Sequence, residues 1–146
     1  MPYKNIEINP AQYSSTNIKQ KDHLYIGYSS INAPSTGNTE LYDSDLIRQD
    51  LLNQFNTKLG ERVMNPTFGT IIWSLLFEPF TDDIKQAILN DVNRICNFDP
   101  RVVPTQINVS EQDSGILLEV SLQYVGTNQV ITMQALFDSE IGIITQ

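Results

Sequence analysis

The sequence predicts an α+β domain: an antiparallel β-meander packed against about three helices, with an extended N-terminal arm. Three observations predict it. Between Asp43 and Phe98 the apolar residues recur at helical spacing, punctuated by caps and breakers. From Gln106 onward apolar and polar residues alternate, and Gly-containing turns separate the runs. The first 42 residues show neither period. We therefore divide the chain into an arm, 1–42, and a single α+β domain, 43–146.

Within the arm, Ile6-Glu7-Ile8 and Leu24–Tyr28 read as very short strands, and Ala33–Asn38 is turn chemistry. Tyr3, Tyr13, Tyr25 and Tyr28 favour an arm that docks on the domain or on neighbours, because disordered tails are poor in aromatics. The first helix begins at Asp43 or Ser44, either of which can cap it, with Asp45 placed well for the helix dipole. Ile47, Leu51, Phe55 and Leu59 give it one apolar face, and Gly60 stops it. After a connector ending at Pro66, a second helix is predicted from about Phe68 to Phe77. It is apolar on most sides and therefore buried, Trp73 included. The third starts after the Thr81 cap, buries Ile84, Ile88, Val92 and Ile95, and ends before Pro100. Strands follow at Gln106–Val109, Ile116–Tyr124 and Ile131–Phe137, with turns at Glu111–Gly115 and Val125–Asn128. Alternation implies one buried face, which the helices cover.

Composition narrows the partners. At 146 residues the chain can bury a core without disulfides or metal. A net charge of −8 argues against nucleic acid, which needs clustered Lys and Arg, and against anionic membrane surfaces. A neutral or basic protein surface suits it better. The start has no apolar run of the kind that marks a signal peptide, and no stretch is long enough to span a membrane. Cys96 is the only cysteine and reads as a small core residue.

Catalytic constellations are missing. His23 is the only histidine and lies in the polar arm, away from any nucleophile motif, so it reads as a surface residue. No spacing suggests zinc, calcium or a phosphate loop, and no cofactor or metal is expected. A glycoside hydrolase needs two carboxylates; Glu78 is the candidate acid, with Glu61 or Asp99 as the second. Two carboxylates can be picked from any acidic chain, so this signal carries little.

Arg101 is more specific. It follows Asp99-Pro100 directly after the third helix, and the proline restricts the backbone that aims it. Its planar fork suits bidentate contacts, either with Asp99 or helix carbonyls locally, or across an interface. Arg62, in the loop before the second helix, is a further candidate.

These residues fall in a recognisable order: Gly60-Glu61-Arg62, Pro66, Phe68-Gly69, Leu76-Phe77-Glu78 and Asp99-Pro100-Arg101. The order resembles the baseplate wedge family of contractile phage tails, which includes the matching component of type VI secretion baseplates. That family has Glu-Pro-Arg where this chain has Asp99-Pro100-Arg101, so the acid is one methylene shorter. The resemblance covers roughly the middle half of the chain, and nothing is carried over to the arm. It implies a structural, non-enzymatic subunit of the virion baseplate, assembled in the host cytoplasm. Such a subunit docks on other wedge proteins beside the tail tube and starts tail-sheath polymerisation by strand exchange. Asp99, Pro100, Arg101 and Arg62 become partner-binding residues under that reading. Some family members bear the name tail lysozyme, and a peptidoglycan-cleaving glycosidase is the alternative.

Overall fold

The computed structural model describes residues 23–29 and 40–145. The expected strand at Ile6–Ile8, the turn at Ala33–Asn38 and the tyrosines Tyr3 and Tyr13 lie outside them. The element order is β1 (Ile26–Tyr28), β2 (Glu40–Tyr42), α1 (Asp43–Asn56), α2 (Ile72–Leu75), α3 (Asp82–Phe98), β3 (Val102–Gln112), β4 (Gly115–Tyr124), β5 (Val130–Asp138) and β6 (Gly142–Thr145). β3-β4-β5-β6 form an antiparallel meander, and β1 and β2 pair antiparallel in a separate ribbon. The predicted class is the observed one.

Period-two patterning does the sorting in the meander. Ile116, Leu118, Val120, Leu122 and Tyr124 of β4 and Met133, Ala135 and Phe137 of β5 are buried on one face. Ile47, Leu51 and Phe55 of α1 and Ile88, Val92 and Ile95 of α3 pack against that face, at their expected spacing. Phe137 is fully buried and meets Phe55 and Trp73 edge-on, at ring separations of 6.2 and 5.2 Å. Cys96 is buried in the same core, and desolvation, with Asp99 adding a smaller effect, pushes its thiol up to about 12. It is a packing residue, not a nucleophile.

Element ends differ from the sequence reading where local chemistry competes with periodicity. α1 stops at Asn56, and Gly60, with φ +85, turns the loop beyond it. The second helix is a single turn, Ile72–Leu75, instead of Phe68–Phe77. Residues 68–70 are used otherwise: Thr70 N–H donates to Thr57 O (2.9 Å) and Leu59 N–H donates to Thr70 O (3.0 Å), pairing the loop with the end of α1. Gly69 makes this possible. It has φ +119, and a Cβ there would lie 2.6 Å from Thr57 O. The short helix buries Ile72 completely, leaves Trp73 partly covered and Phe77 80% exposed, so the expectation of an all-round buried helix is corrected. α3 matches its prediction; Thr81 Oγ1 accepts from Ile84 N–H (3.4 Å), as an N-cap should.

Candidate functional site

Arg62, Asp99, Pro100 and Arg101 come together. They line one open hollow of ≈ 600 Å³, with Tyr25, Asp50, Phe68 and Phe98 among its walls. The third helix ends, Pro100 turns the chain, and Arg101 enters the sheet beside the C-terminal half of α1.

The guanidinium of Arg101 faces inward. Its Nε donates to Asp99 Oδ1 (2.8 Å) and Oδ2 (3.2 Å), and Nη2 donates to Asp99 Oδ2 (2.6 Å) and to Asp50 Oδ2 (2.8 Å). Asp99 Oδ1 also accepts the Arg101 backbone N–H (3.0 Å). The Arg101 and Asp99 side chains are only 19% and 13% exposed, so this pair is shielded from water. The local ion pair, one of the two roles open to Arg101 from sequence, is therefore present. It braces α3, the start of β3 and, through Asp50, α1. Nη1 takes no part in these bonds, and the guanidinium carbon lies 5.6 Å from the Tyr25 ring centre. Across the hollow, Arg62 is exposed and stacks on Phe68, its guanidinium carbon 3.9 Å from the ring centre. Phe98 is 79% exposed at the rim.

The loop that carries Arg62 and Phe68 is tied down by a polar clasp. Asp91 is buried, and its Oδ2 accepts from Thr70 Oγ1 (2.8 Å) and Ile71 N–H (3.0 Å). Its Oδ1 accepts from Arg94 Nε (3.1 Å) and Nη2 (2.7 Å). Arg94 then donates to the carbonyls of Thr67 (3.1 Å) and Gly69 (2.9 Å). The sequence reading missed this clasp. Its signal is Asp91 itself, three residues after Ile88 and four before Ile95, a carboxylate on the apolar face of α3.

Asp43 holds the arm. It does not cap α1 as expected; Tyr42 occupies that position, and Asp43 begins the helix with φ +43. Its Oδ1 accepts the N–H groups of Leu24 (2.9 Å) and Tyr25 (3.0 Å), and its Oδ2 lies 3.0 Å from His23 Nδ1. His23, expected at the surface, is partly buried and stacks on Tyr42 at 4.1 Å.

Electrostatics follow from these contacts. Burial works to raise the Asp99 carboxyl, but the side-chain bonds, backbone N–H and charge of Arg101 win and hold it below its ordinary 3.8. At Asp43 burial is likewise outweighed, by His23 and the Tyr25 and Leu24 amides. A carboxyl depressed in the fold contributes stability that is complete above the unfolded value and lost as pH falls through the folded one. The melting temperature should therefore fall as the pH drops below 3.8. Asp99→Asn should melt lower than the parent at pH 7 and converge with it in acid. Parallel curves across the whole range would remove the Asp99–Arg101 pair from the account.

The three carboxylates considered for glycosidase chemistry line three different hollows. Glu78 is exposed beside the β3–β4 turn at Asp113-Ser114, Glu61 accepts Lys58 N–H (3.0 Å) near Trp73, and Asp99 is engaged with Arg101. A hydrolytic pair must face across one cleft, and these do not. Among the described residues no group of three or more His, Cys, Asp or Glu is arranged to hold a metal, and no helix is long and apolar enough to cross a membrane.

Comparison with known proteins bears on the same region. The family model described as baseplate wedge protein gp25 matches residues 42–129. Among solved structures, a crystal structure named as a tail lysozyme from Geobacter sulfurreducens aligns with a TM-score of 0.54 and 22% identity, over 63% of this chain and 90% of that one. At that identity the likeness speaks to the fold alone. No curated protein matches the chain.

Proposed function

The chain belongs to the baseplate wedge protein gp25 family, and from that premise we propose that it docks on the larger wedge subunits of a contractile tail, beside the tube, and starts sheath polymerisation. The observation that carries the docking half is the hollow. Residues scattered through the matched region, Arg62, Phe68, Asp99, Pro100 and Arg101, converge on one concave surface with an apolar floor and two guanidinium groups. Asp99–Arg101 preorganises it, and the Asp91–Arg94 clasp fixes the opposite lip. The occupant is a helical-bundle segment of a wedge partner that sets an apolar side chain and a carboxylate into the hollow.

The open sheet supports the sheath half. β3 is blunted as an edge by Pro104, which has no N–H, and by the register shift between Pro104 and Gln106. The other side is different. β6 pairs only with Ala135–Asp138, so Val130–Gln134 of β5 have no strand on that side among the described residues. A strand donated in line with β6 would complete the ladder, which is β-augmentation.

Arg101 is a poor probe of docking, because Arg101→Ala leaves the shielded Asp99 carboxylate unpaired and lowers stability by itself. Arg62→Glu and Phe98→Ser alter exposed groups and should leave the melting temperature within a few degrees of the parent. Both variants should be largely absent from baseplates of purified tails assembled in their presence. Normal incorporation of both would refute docking through this hollow. Purified protein should not release soluble fragments from peptidoglycan; release abolished by Glu78→Gln in a folded variant would restore the lysozyme reading.

A further inference from the structure

One wall of the docking hollow comes from outside the family-matched residues. Tyr25 precedes residue 42, where the match begins, yet it lines the hollow with Arg101, Phe68 and Phe98. Its position is strongly constrained. The ring packs edge-on against Tyr124 at 6.4 Å and lies 5.6 Å from the Arg101 guanidinium. Its backbone is bolted to the start of α1: Tyr25 N–H donates to Asp43 Oδ1 (3.0 Å), and Asp43 N–H donates back to Tyr25 O (3.1 Å). Asp43 keeps φ +43 to do so, a left-handed conformation that a non-glycine residue holds only where its surroundings over-determine it. Two residues on, Gly27 lies so close to α1 that a Cβ would come 2.3 Å from Leu46 Cδ1.

We infer that Tyr25 is a specificity-determining residue of the docking hollow, selecting among wedge partners by the shape of the apolar side chain they insert; this rests on the docking reading above. The partner segment carries that apolar residue beside a carboxylate. Tyr25, Phe68, Phe98 and Pro100 supply apolar walls, whereas Asp50 and Asp99 are already bonded to Arg101, so among the described residues of the hollow the exposed Arg62 has no carboxylate partner. A wall placed by the arm lets the hollow change shape without any change in the corner at Asp99-Pro100-Arg101. Aromatic groups at the centre of an interface are where truncation has large effects.

The test is competitive assembly. Wild-type chain and one variant, isotopically distinguishable, are co-expressed with the wedge proteins of the same tail, and their ratio in purified baseplates is read by mass spectrometry. Tyr25→Ala should be under-represented roughly tenfold, the effect of losing one interface anchor. Tyr25→Phe, which keeps the ring, should incorporate like wild type. Amide exchange at Tyr25 and Ile26 shows whether β1 stays docked in each variant. Tyr25→Ala at the wild-type ratio while Arg62→Glu is excluded overturns the inference and leaves the docking site standing. Equal exclusion of Tyr25→Phe also overturns it, because the wall is then intact. If Arg62→Glu and Phe98→Ser incorporate normally as well, it is the docking reading that falls.

Discussion

Phe137→Ala should destabilise the isolated chain by about 3–5 kcal/mol, the cost of a fully buried aromatic plus the cavity it leaves. Phe137 is 0% exposed and holds both Phe55 of α1 and Trp73 of α2 against the sheet. Trp73→Ala should cost less, about 2–3 kcal/mol by the same reasoning, because the indole is only partly covered. Part of that loss is the hydrogen bond from Trp73 Nε1 to Phe55 O (2.7 Å). Urea unfolding of the two variants gives the order directly. A larger loss for Trp73→Ala would mean that α2, not the sheet face, is the centre of the core.

Asp91→Ala is expected to be nearly as damaging and for a different reason. Two donors lose their acceptor, the fully buried Thr70 hydroxyl and the partly buried Ile71 amide, and each such orphan costs roughly 1–3 kcal/mol, with Ile71 at the low end. Arg94 loses its anchor at the same time, although its side chain is 42% exposed and that part is discounted. A total of about 3 kcal/mol corresponds to a fall in melting temperature of roughly 6–12 °C for a chain of this size. The loop carrying Arg62 and Phe68 should also become protease-sensitive, since Arg94 no longer holds the carbonyls of Thr67 and Gly69. Asp91→Asn keeps an oxygen for Thr70 and Ile71 and should sit between the two. A variant Asp91→Ala that melts with the parent would show that the clasp is ornamental.

The regular elements were legible because one period governs each of them. α1 and α3 bury one helical face, β5 buries Met133, Ala135 and Phe137, and the burial pattern of β4 alternates without a break from Gly115 to Tyr124. Short elements escape that logic. β2 and β6 have three and four residues, too few for a period to be visible, and they exist because β1 and β5 offer them backbone partners. The second helix was overestimated because an apolar run looks alike in a helix and in a buried turn. What cut it short was Gly69 lying against the Thr57 carbonyl, a contact across 12 residues that no local window contains.

The corner at Asp99-Pro100-Arg101 was legible because three adjacent residues carry it. The rest of the site was not. Asp50 reaches Arg101 across 51 positions, and Tyr25 reaches the hollow only because Asp43 captures the arm. Asp43 looked like a helix cap in the sequence; its carboxylate instead turns back to the Leu24 and Tyr25 amides. Asp91 was the one such residue with a warning attached, since it stands on α3 between Ile88, Val92 and Ile95, on the apolar face, with Arg94 one turn on.

Sheath growth on purified baseplate wedges tests the central claim most directly. Wedges assembled with and without this chain are incubated with sheath subunit and imaged by electron microscopy. An assembly role at the start of the sheath predicts ordered sheath rising from wedges that contain the chain and bare wedges, or free disordered polymer, where it is missing. Sheath of normal order and frequency on wedges that lack it would contradict the account.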